Sequence, residues 1–521
     1  MKRHFTRWPA VEGYADRQSY RAGDTVEVRC SSRVPTVTAS VARVGRERVE
    51  VWRRDGILVG DHPVPDDASA GGCSWPVAFS IEIDPAWPSG YYEVSLRADG
   101  VDGEVGTAEA FFVVRPGSVA SAAPAIVVLC TNTYNAYNQW GGACLYSGAV
   151  KVSFDRPLER GYLRRPAAPD EAAYDGRMAG LGDDPRDPDE QHLQLQGYLA
   201  DFDYPLWCAS SGWHNWERRF VRWAETEGIA LDYAVNSDLE FHPDVLDGHR
   251  LMLSVGHDEY WSWAMRDRAD AFVEAGGSWA ILSGNTCFWQ VRFEDDGRTM
   301  VCYKGRATAE DPVAGTDARH LLTSSWSLPA IGRSEAESIG LSITRGGYAR
   351  VGQATPRSSG GYTVHRHDHP VFAGTDLRYG DVLGGSSRIV GYEVDGCELA
   401  IDNGDPVPTY HDSTPAGLEV LATAPARLLS ITPTSSEVPE ALWASTDPPG
   451  DLESVAAMLF GSASPENIAR VAHNHAVIGT FPKGKGRVLH AGTTDWAYGL
   501  DDDPLVQQVT ANIVRWLGGV D

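Results

Sequence analysis

The sequence predicts an α/β fold with an N-terminal all-β domain. Three observations carry that prediction. Between residues 17 and 115, short runs alternate apolar and polar residues with period two. From Ala125 onward the runs become continuously apolar, the pattern of strands buried on both faces of a parallel sheet. Amphipathic helical stretches follow these buried runs, in strand–helix–strand order.

The elements follow in chain order. Residues 1–117 read as a β-sandwich of immunoglobulin or lectin type. Its strands are Thr25–Cys30, Val37–Val44, Ser80–Asp84, Tyr91–Leu96 and Ala110–Val114, with a turn at Trp87-Pro88-Ser89-Gly90. Pro116 to Pro124, rich in Ser, Ala and Pro, is a linker. Residues 124–300 form the first part of an α/β core. It holds buried strands at Ala125–Cys130, Leu251–Val255 and Ser278–Leu282, and helices at Trp216–Glu227 and Trp263–Ala275. Gly276-Gly277 ends the second helix. Residues 301–440 are β-like and loop-rich, a β-rich insertion. Residues 441–521 return to the core with a strand at Arg487–Ala491 and a helix at Leu505–Leu517.

Composition removes whole classes of function. The 521 residues carry a net charge of −26, which gives no electrostatic footprint for nucleic acid and is repelled by anionic membranes. With 42% hydrophobic residues the chain is not disordered, and no run is long enough to span a bilayer. The start, Met1 to Pro9, is basic without a following apolar stretch, so no secretory signal is expected. Eight scattered Cys without a CxxC fit thiols in a reducing cytoplasm.

In an open α/β sheet, ligands bind beyond the carboxyl ends of the strands. Four such ends carry polar and aromatic tails: Thr131 to Gly142, Gly256 to Ser262, Ser283 to Gln290 and Gly492 to Tyr498. One tail alone could be a helix cap or a turn. Four together argue for a pocket. The densest is Gly256-His257-Asp258-Glu259-Tyr260, on a strand-to-helix turn. There His257 can act as base or metal ligand and Glu259 as general acid or base, while Asp258 suits the helix dipole. There is no GxSxG elbow, no GxxxxGK[ST] loop, no HExxH and no GxGxxG after a strand. Cys287 stands after a strand and reads as a packed thiol before it reads as a nucleophile. His365-Arg366-His367-Asp368-His369 reads as a loop with surface histidines before it reads as a metal site.

Taken together, Tyr134-Asn135-Ala136-Tyr137-Asn138, His257-Asp258-Glu259-Tyr260-Trp261, Gly284-Asn285 with Trp289, Gly391-Tyr392-Glu393-Val394-Asp395 and Asp495-Trp496 resemble the large-subunit-like domain of N,N-dimethylformamidase. Trp87 to Tyr92 resembles the N-terminal sandwich of that family, and the resemblance runs from about residue 12 to 519. It implies an α/β core similar to class I glutamine amidotransferases without their catalytic Cys. It also implies an amidohydrolase, a homo-oligomer, and one mononuclear iron held by two Tyr and one Glu. Tyr260 matches the Tyr of the family's HxEY turn. The other Tyr position falls at Arg219 and the Glu position at Leu321, neither of which can bind a metal. Glu335 is the nearest carboxylate to take that place.

The expectation is therefore a cytoplasmic enzyme acting on a C–N bond of a small molecule, most simply an amidohydrolase. Its catalytic residues are His257, Glu259, Tyr260 and Glu393, and its pocket is lined by Tyr134, Asn138, Asn285, Trp289, Asp495 and Trp496. Its cofactor is one metal ion on Tyr260 and Glu335, or none. Two alternatives stand beside it: a metal-free acid–base lyase, cyclase or dehydratase on the same scaffold, and a non-catalytic binding protein.

Overall fold

The structure, a computed structural model, describes residues 10–99, 105–165, 204–349, 358–391, 393–429 and 451–519. The first strands form two sheets. One holds Val11–Ala15, Thr25–Ser32 and Val77–Glu82, all antiparallel. The other runs Ser19–Tyr20, Val105–Val114, Gly90–Asp99, Thr36–Val44, Arg48–Leu58. The period-two pattern explains why they meet. Val26, Val28 and Cys30 of one sheet bury with Val37, Val41, Val94 and Leu96 of the other in a single core. This block is tied to the rest of the chain by apolar and ionic contacts. Tyr91 stacks on Trp213 with ring centroids 4.0 Å apart, and Arg43 pairs with Glu225 at 2.6 Å.

The remainder is built on one nine-stranded sheet. Its order is Leu231–Val235, Ala125–Leu129, Leu251–His257, Ser278–Gly284, Gly486–His490, Asn474–Lys483, Glu419–Ala426, Tyr362–Val364, Val382–Leu383. The first five strands are parallel and the rest antiparallel. The continuous apolar runs are explained by burial on both faces. Ala125, Val127 and Leu129 enter one core, while Ile126 and Val128 enter the other. Leu253 and Met252 divide in the same way, as do Leu282 and Ile281.

The helices cover this sheet. Glu217–Thr226 and Pro504–Gly518 bury Phe220, Val221, Val506, Ile513 and Val514 in the first core. Trp263–Ala275 buries Met265, Ala269 and Val273 in the second. The Ser262 hydroxyl accepts from Met265 N–H, and Gly276 (φ 123°) ends the helix, as its C-cap position requires.

Three features depart from the sequence reading. The sheet is mixed and not purely parallel, because Asn474–Lys483 forms an unforeseen antiparallel hairpin with Gly486–His490. Residues 301–440 do not stand apart as an insertion. Their strands Tyr362–Val364, Val382–Leu383 and Glu419–Ala426 extend the central sheet. The boundary at 440/441, like Tyr392, lies outside the described residues. Finally, the Gly256 turn does not lead straight into a helix. A short strand, Tyr260–Ser262, intervenes and pairs with Trp289–Glu294, so the dipole of Trp263–Ala275 is not what holds Asp258. No helix among the described residues is long and apolar enough to cross a membrane.

Candidate active site

The strand Leu251–His257 ends with His257 at the carboxyl edge of the parallel half. Gly256 makes this exit possible. It has φ 87°, and a Cβ there would lie 2.6 Å from Trp216 Cβ. The neighbouring strand Ser278–Gly284 ends beside Asn285, which is itself left-handed (φ 49°). The third contribution arrives from a separate two-stranded sheet, in which Glu393–Gly396 pairs with Ser342–Tyr348. The strand Glu393–Gly396 passes so close to Gly284 that a Cβ there would meet Glu393 O at 2.5 Å.

These chain segments gather three side chains around one nitrogen of a fourth, His257. His257 Nε2 lies 2.8 Å from Glu393 Oε2 and 3.4 Å from Glu259 Oε2. Asn285 Nδ2 donates to Glu393 Oε2 at 3.2 Å and lies 3.4 Å from the same imidazole nitrogen. His257 Nδ1 faces Ser210 O at 2.8 Å. All four side chains are buried. Burial by itself would lower the His257 pKa. The charge of Glu393, its hydrogen bond and the charge of Glu259 outweigh burial and raise it to about 9. Glu259 is raised, first by burial and then by Glu393, and is drawn back by His257 and Lys304.

A second layer of aromatic oxygens lies beside Glu259. Tyr146 Oη donates to Glu259 Oε1 at 2.5 Å, and Tyr137 Oη donates to Tyr146 Oη at 3.0 Å. Burial pushes the Tyr146 and Tyr260 phenols well above their ordinary value. The Lys304 ammonium sits 3.1 Å from the Tyr146 ring centroid, 5.1 Å from that of Trp289 and 5.6 Å from that of Tyr260. Lys304, Asn285 and Cys287 all have φ near +50°, so left-handed backbone clusters at this site. Tyr348 hydrogen-bonds to Asp451, whose carboxyl burial raises to about 6, and the charge of Glu393 acts on both.

Comparison with known proteins places this chain in a family. A family model described as "N,N-dimethylformamidase beta subunit-like, C-terminal" matches residues 38–511. The chain belongs to the N,N-dimethylformamidase beta subunit-like family. Two curated relatives are N,N-dimethylformamidase beta subunits. The one from Alcaligenes sp is 23% identical over 228 residues, and the one from Paracoccus aminophilus is 25% identical over 228 residues. Each alignment covers 42% of this chain and 28% of the relative, so the match spans under a third of their length. Two solved structures of Parabacteroides merdae β-glucuronidase, at 12% identity, cover 53% of this chain and 30% and 29% of theirs. Their TM-scores of 0.16 and 0.15 are too low to bear on the fold.

Within this family member, the structure sorts the residues read from sequence. His257, Glu259, Glu393 and Asn285 come together, with Tyr260 and Trp289 on adjacent strands beside Lys304. Tyr134 points elsewhere. Its hydroxyl donates to Glu217 at 2.6 Å, and burial raises Glu217 to about 7. Asn138 pins a loop through Pro157 O, Trp140 N–H and Glu159 N–H. Asp495 accepts from Trp216 Nε1 at 2.9 Å, and the Trp216 ring lies edge-on to His257, so that indole stands between Asp495 and the imidazole. Trp496 packs in the core and donates to Thr510.

Glu335 is not brought to Tyr260. Its oxygens accept from Ser327, Ser334 and Ser342, within reach of the Arg266 charge. Arg219 bonds to Asp501 and stacks on Tyr498, and the Leu321 carbonyl accepts from Arg292. All eight cysteines are buried and free, Cys287 among them. His365 meets Thr423, and His369 caps Val371 N–H, so the histidines of that loop do not converge. Sequence reasoning missed Tyr146, Lys304 and Ser210. Tyr137 stood inside a quoted motif but was given no role.

Proposed function

We propose that this chain is a small-molecule amidohydrolase and that its chemistry is centred on His257, Glu259 and Glu393. The observation that supports this most is the buried imidazole held between two carboxylates in a member of a formamidase subunit-like family. With its pKa near 9, His257 is an imidazolium at neutral pH and Glu393 its counter-charge. Hydrolysis then divides naturally. Glu393 accepts a proton from water as the water oxygen bonds to the amide carbon. His257 gives its proton to the leaving nitrogen as the C–N bond breaks, yielding acid and amine. The proton on Glu393 returns to His257, and the site is restored. Ser210 O fixes the imidazole ring through Nδ1. The parallel half of the central sheet supports the reading of a glutamine amidotransferase-like core.

The family resemblance implies an iron on two Tyr and one Glu, and we propose other residues for it than the sequence alignment suggested. Among the described residues no three His, Cys, Asp or Glu side chains are arranged to hold a metal. A chain of oxygens supports a different set, since Tyr137 donates to Tyr146 and Tyr146 donates to Glu259. We read these three as the residues that would hold the ion. When bound it would polarise the amide carbonyl or acidify a water. Glu259 is then the holder, and Glu393 with His257 the proton carriers.

The test is amine release from a panel of simple amides by purified protein, together with its metal content. His257→Gln and Glu393→Gln should each lower kcat/KM by about 10²–10⁴-fold, and Tyr146→Phe should lower bound metal. No turnover across the panel, or unchanged rates in both variants, would overturn the amidohydrolase reading. Less than about 0.2 equivalents of metal with activity intact after chelation would remove the metal from it.

A further inference from the structure

The N-terminal block leaves one sheet edge open. Its five-stranded sheet ends in Arg48–Leu58, which pairs with Thr36–Val44 on one side and with no strand on the other among the described residues. At 11 residues it is the longest strand among the described residues, and a long edge is a ready template for a further strand. Residues 48–50 and 53–56 are exposed, with Val49 at 53%. The segment also differs in charge from the chain that carries it. Residues 48–55, Arg-Val-Glu-Val-Trp-Arg-Arg-Asp, hold three arginines and two acids in a chain of net −26. Two copies can therefore meet here without the repulsion of like net charge.

We infer that a second copy of this chain docks on this edge, as an antiparallel two-fold ladder over residues 48–55 that joins two five-stranded sheets into one. With the axis between Val51 and Trp52, Arg48 falls opposite Asp55 and Glu50 opposite Arg53, each twice. Val49 falls opposite Arg54, whose methylenes cover it, and Val51 opposite Trp52. In a regular strand this register would set opposing side chains on opposite faces. A bulge removes the conflict. Trp52 stands opposite Val41 and Glu50 opposite Ala42, so Val51 is an extra residue and the alternation shifts by one there. Arg48, Glu50, Arg53 and Asp55 thereby share one face. Arg48 reaches Glu93 at 3.0 Å, and Arg53 lies 3.9 Å from Glu50 and 3.1 Å from Asp55. Trp52 stacks on Phe79 on the other face. The Arg53 contacts are exposed, and each carboxylate has a second oxygen for a guanidinium of the partner copy. The inference is independent of the reaction proposed above.

The experiment follows the mass of the full chain by sedimentation from about 1 to 100 µM. Wild type should pass from one copy to two across that range at low salt, and shift back as NaCl rises. Glu50→Arg alone sets arginine opposite Arg53, and Arg53→Glu alone sets glutamate opposite Glu50. Each variant should therefore dimerise at least ~10-fold more weakly. Mixed one to one, the two variants are complementary at both places and should recover a dimer holding one copy of each. A loss that came only from broken contacts within one chain would not be repaired by mixing. A wild type that stays monomeric throughout would overturn the inference, and the charges and bulge would then serve only to keep the edge solitary. A wild-type dimer that both variants leave unchanged would overturn it by placing the contact elsewhere. Weakened variants that mixing does not restore would overturn the register.

Discussion

His257 keeps its proton at neutral pH because two carboxylates face it, although burial works the other way. A folded pKa near 9 against an ordinary value near 6.5 sets the sign. The stabilisation is fully present below about pH 6.5 and is lost as pH rises through 9. The melting temperature should therefore fall between pH 7 and 9.5, and His257→Gln should flatten that fall. The rate should share the alkaline limb, since the imidazolium is the acid, with a kcat profile descending near pH 9. An alkaline limb unchanged in His257→Gln would contradict this assignment. At this scale the sequence showed much. His257, Glu259, Asn285 and Glu393 follow strand ends or begin strands, where pattern can find them. Tyr146 sits in a turn and Lys304 in the three-residue 3₁₀ helix Lys304–Arg306, both too short for a period to mark them. Trp496 misled in the opposite direction, because a tail beyond a strand is covered by Pro504–Gly518 and becomes core.

Among the elements, the exit of the strand Leu251–His257 is the most constrained. Gly256→Ala would force a Cβ onto Trp216 and a side chain into left-handed backbone. A loss on the order of 1–3 kcal/mol in urea unfolding is expected, with activity reduced further because His257 moves with its strand. Ser262→Ala removes the cap of Trp263–Ala275 and should cost about 1 kcal/mol with the site otherwise intact. Equal effects of the two variants on activity would argue against Gly256 positioning His257. Continuous apolar runs such as Ile126-Val127-Val128 revealed the parallel strands. Asn474–Lys483 escaped because its burial on both faces mixes Thr480 and Gly479 among apolar residues, which hides its period. The short strand Tyr260–Ser262 escaped because three residues carry no period at all.

Across the whole molecule the charge of −26 opposes compactness. Screening acts over about 8–10 Å at moderate salt. Raising NaCl from 10 to about 200 mM should thus raise the melting temperature, and an unchanged or lower value would show that pairs such as Arg43–Glu225 outweigh the repulsion. The division into an N-terminal β-block and an α/β body was legible from the change of period near residue 125. The joining of residues 362–426 to the central sheet was not, since short local patterns do not say which edge a strand meets.

The strand that carries Glu393 belongs to a separate two-stranded sheet and leaves the ribosome about 140 residues after His257. At ordinary synthesis speeds that is a delay on the order of 10 s. Throughout it Glu393, the carboxylate that lies nearest His257 Nε2 in the finished site, is still missing. The pairing of His257 with Glu393 thus records that about three quarters of the protein has been made.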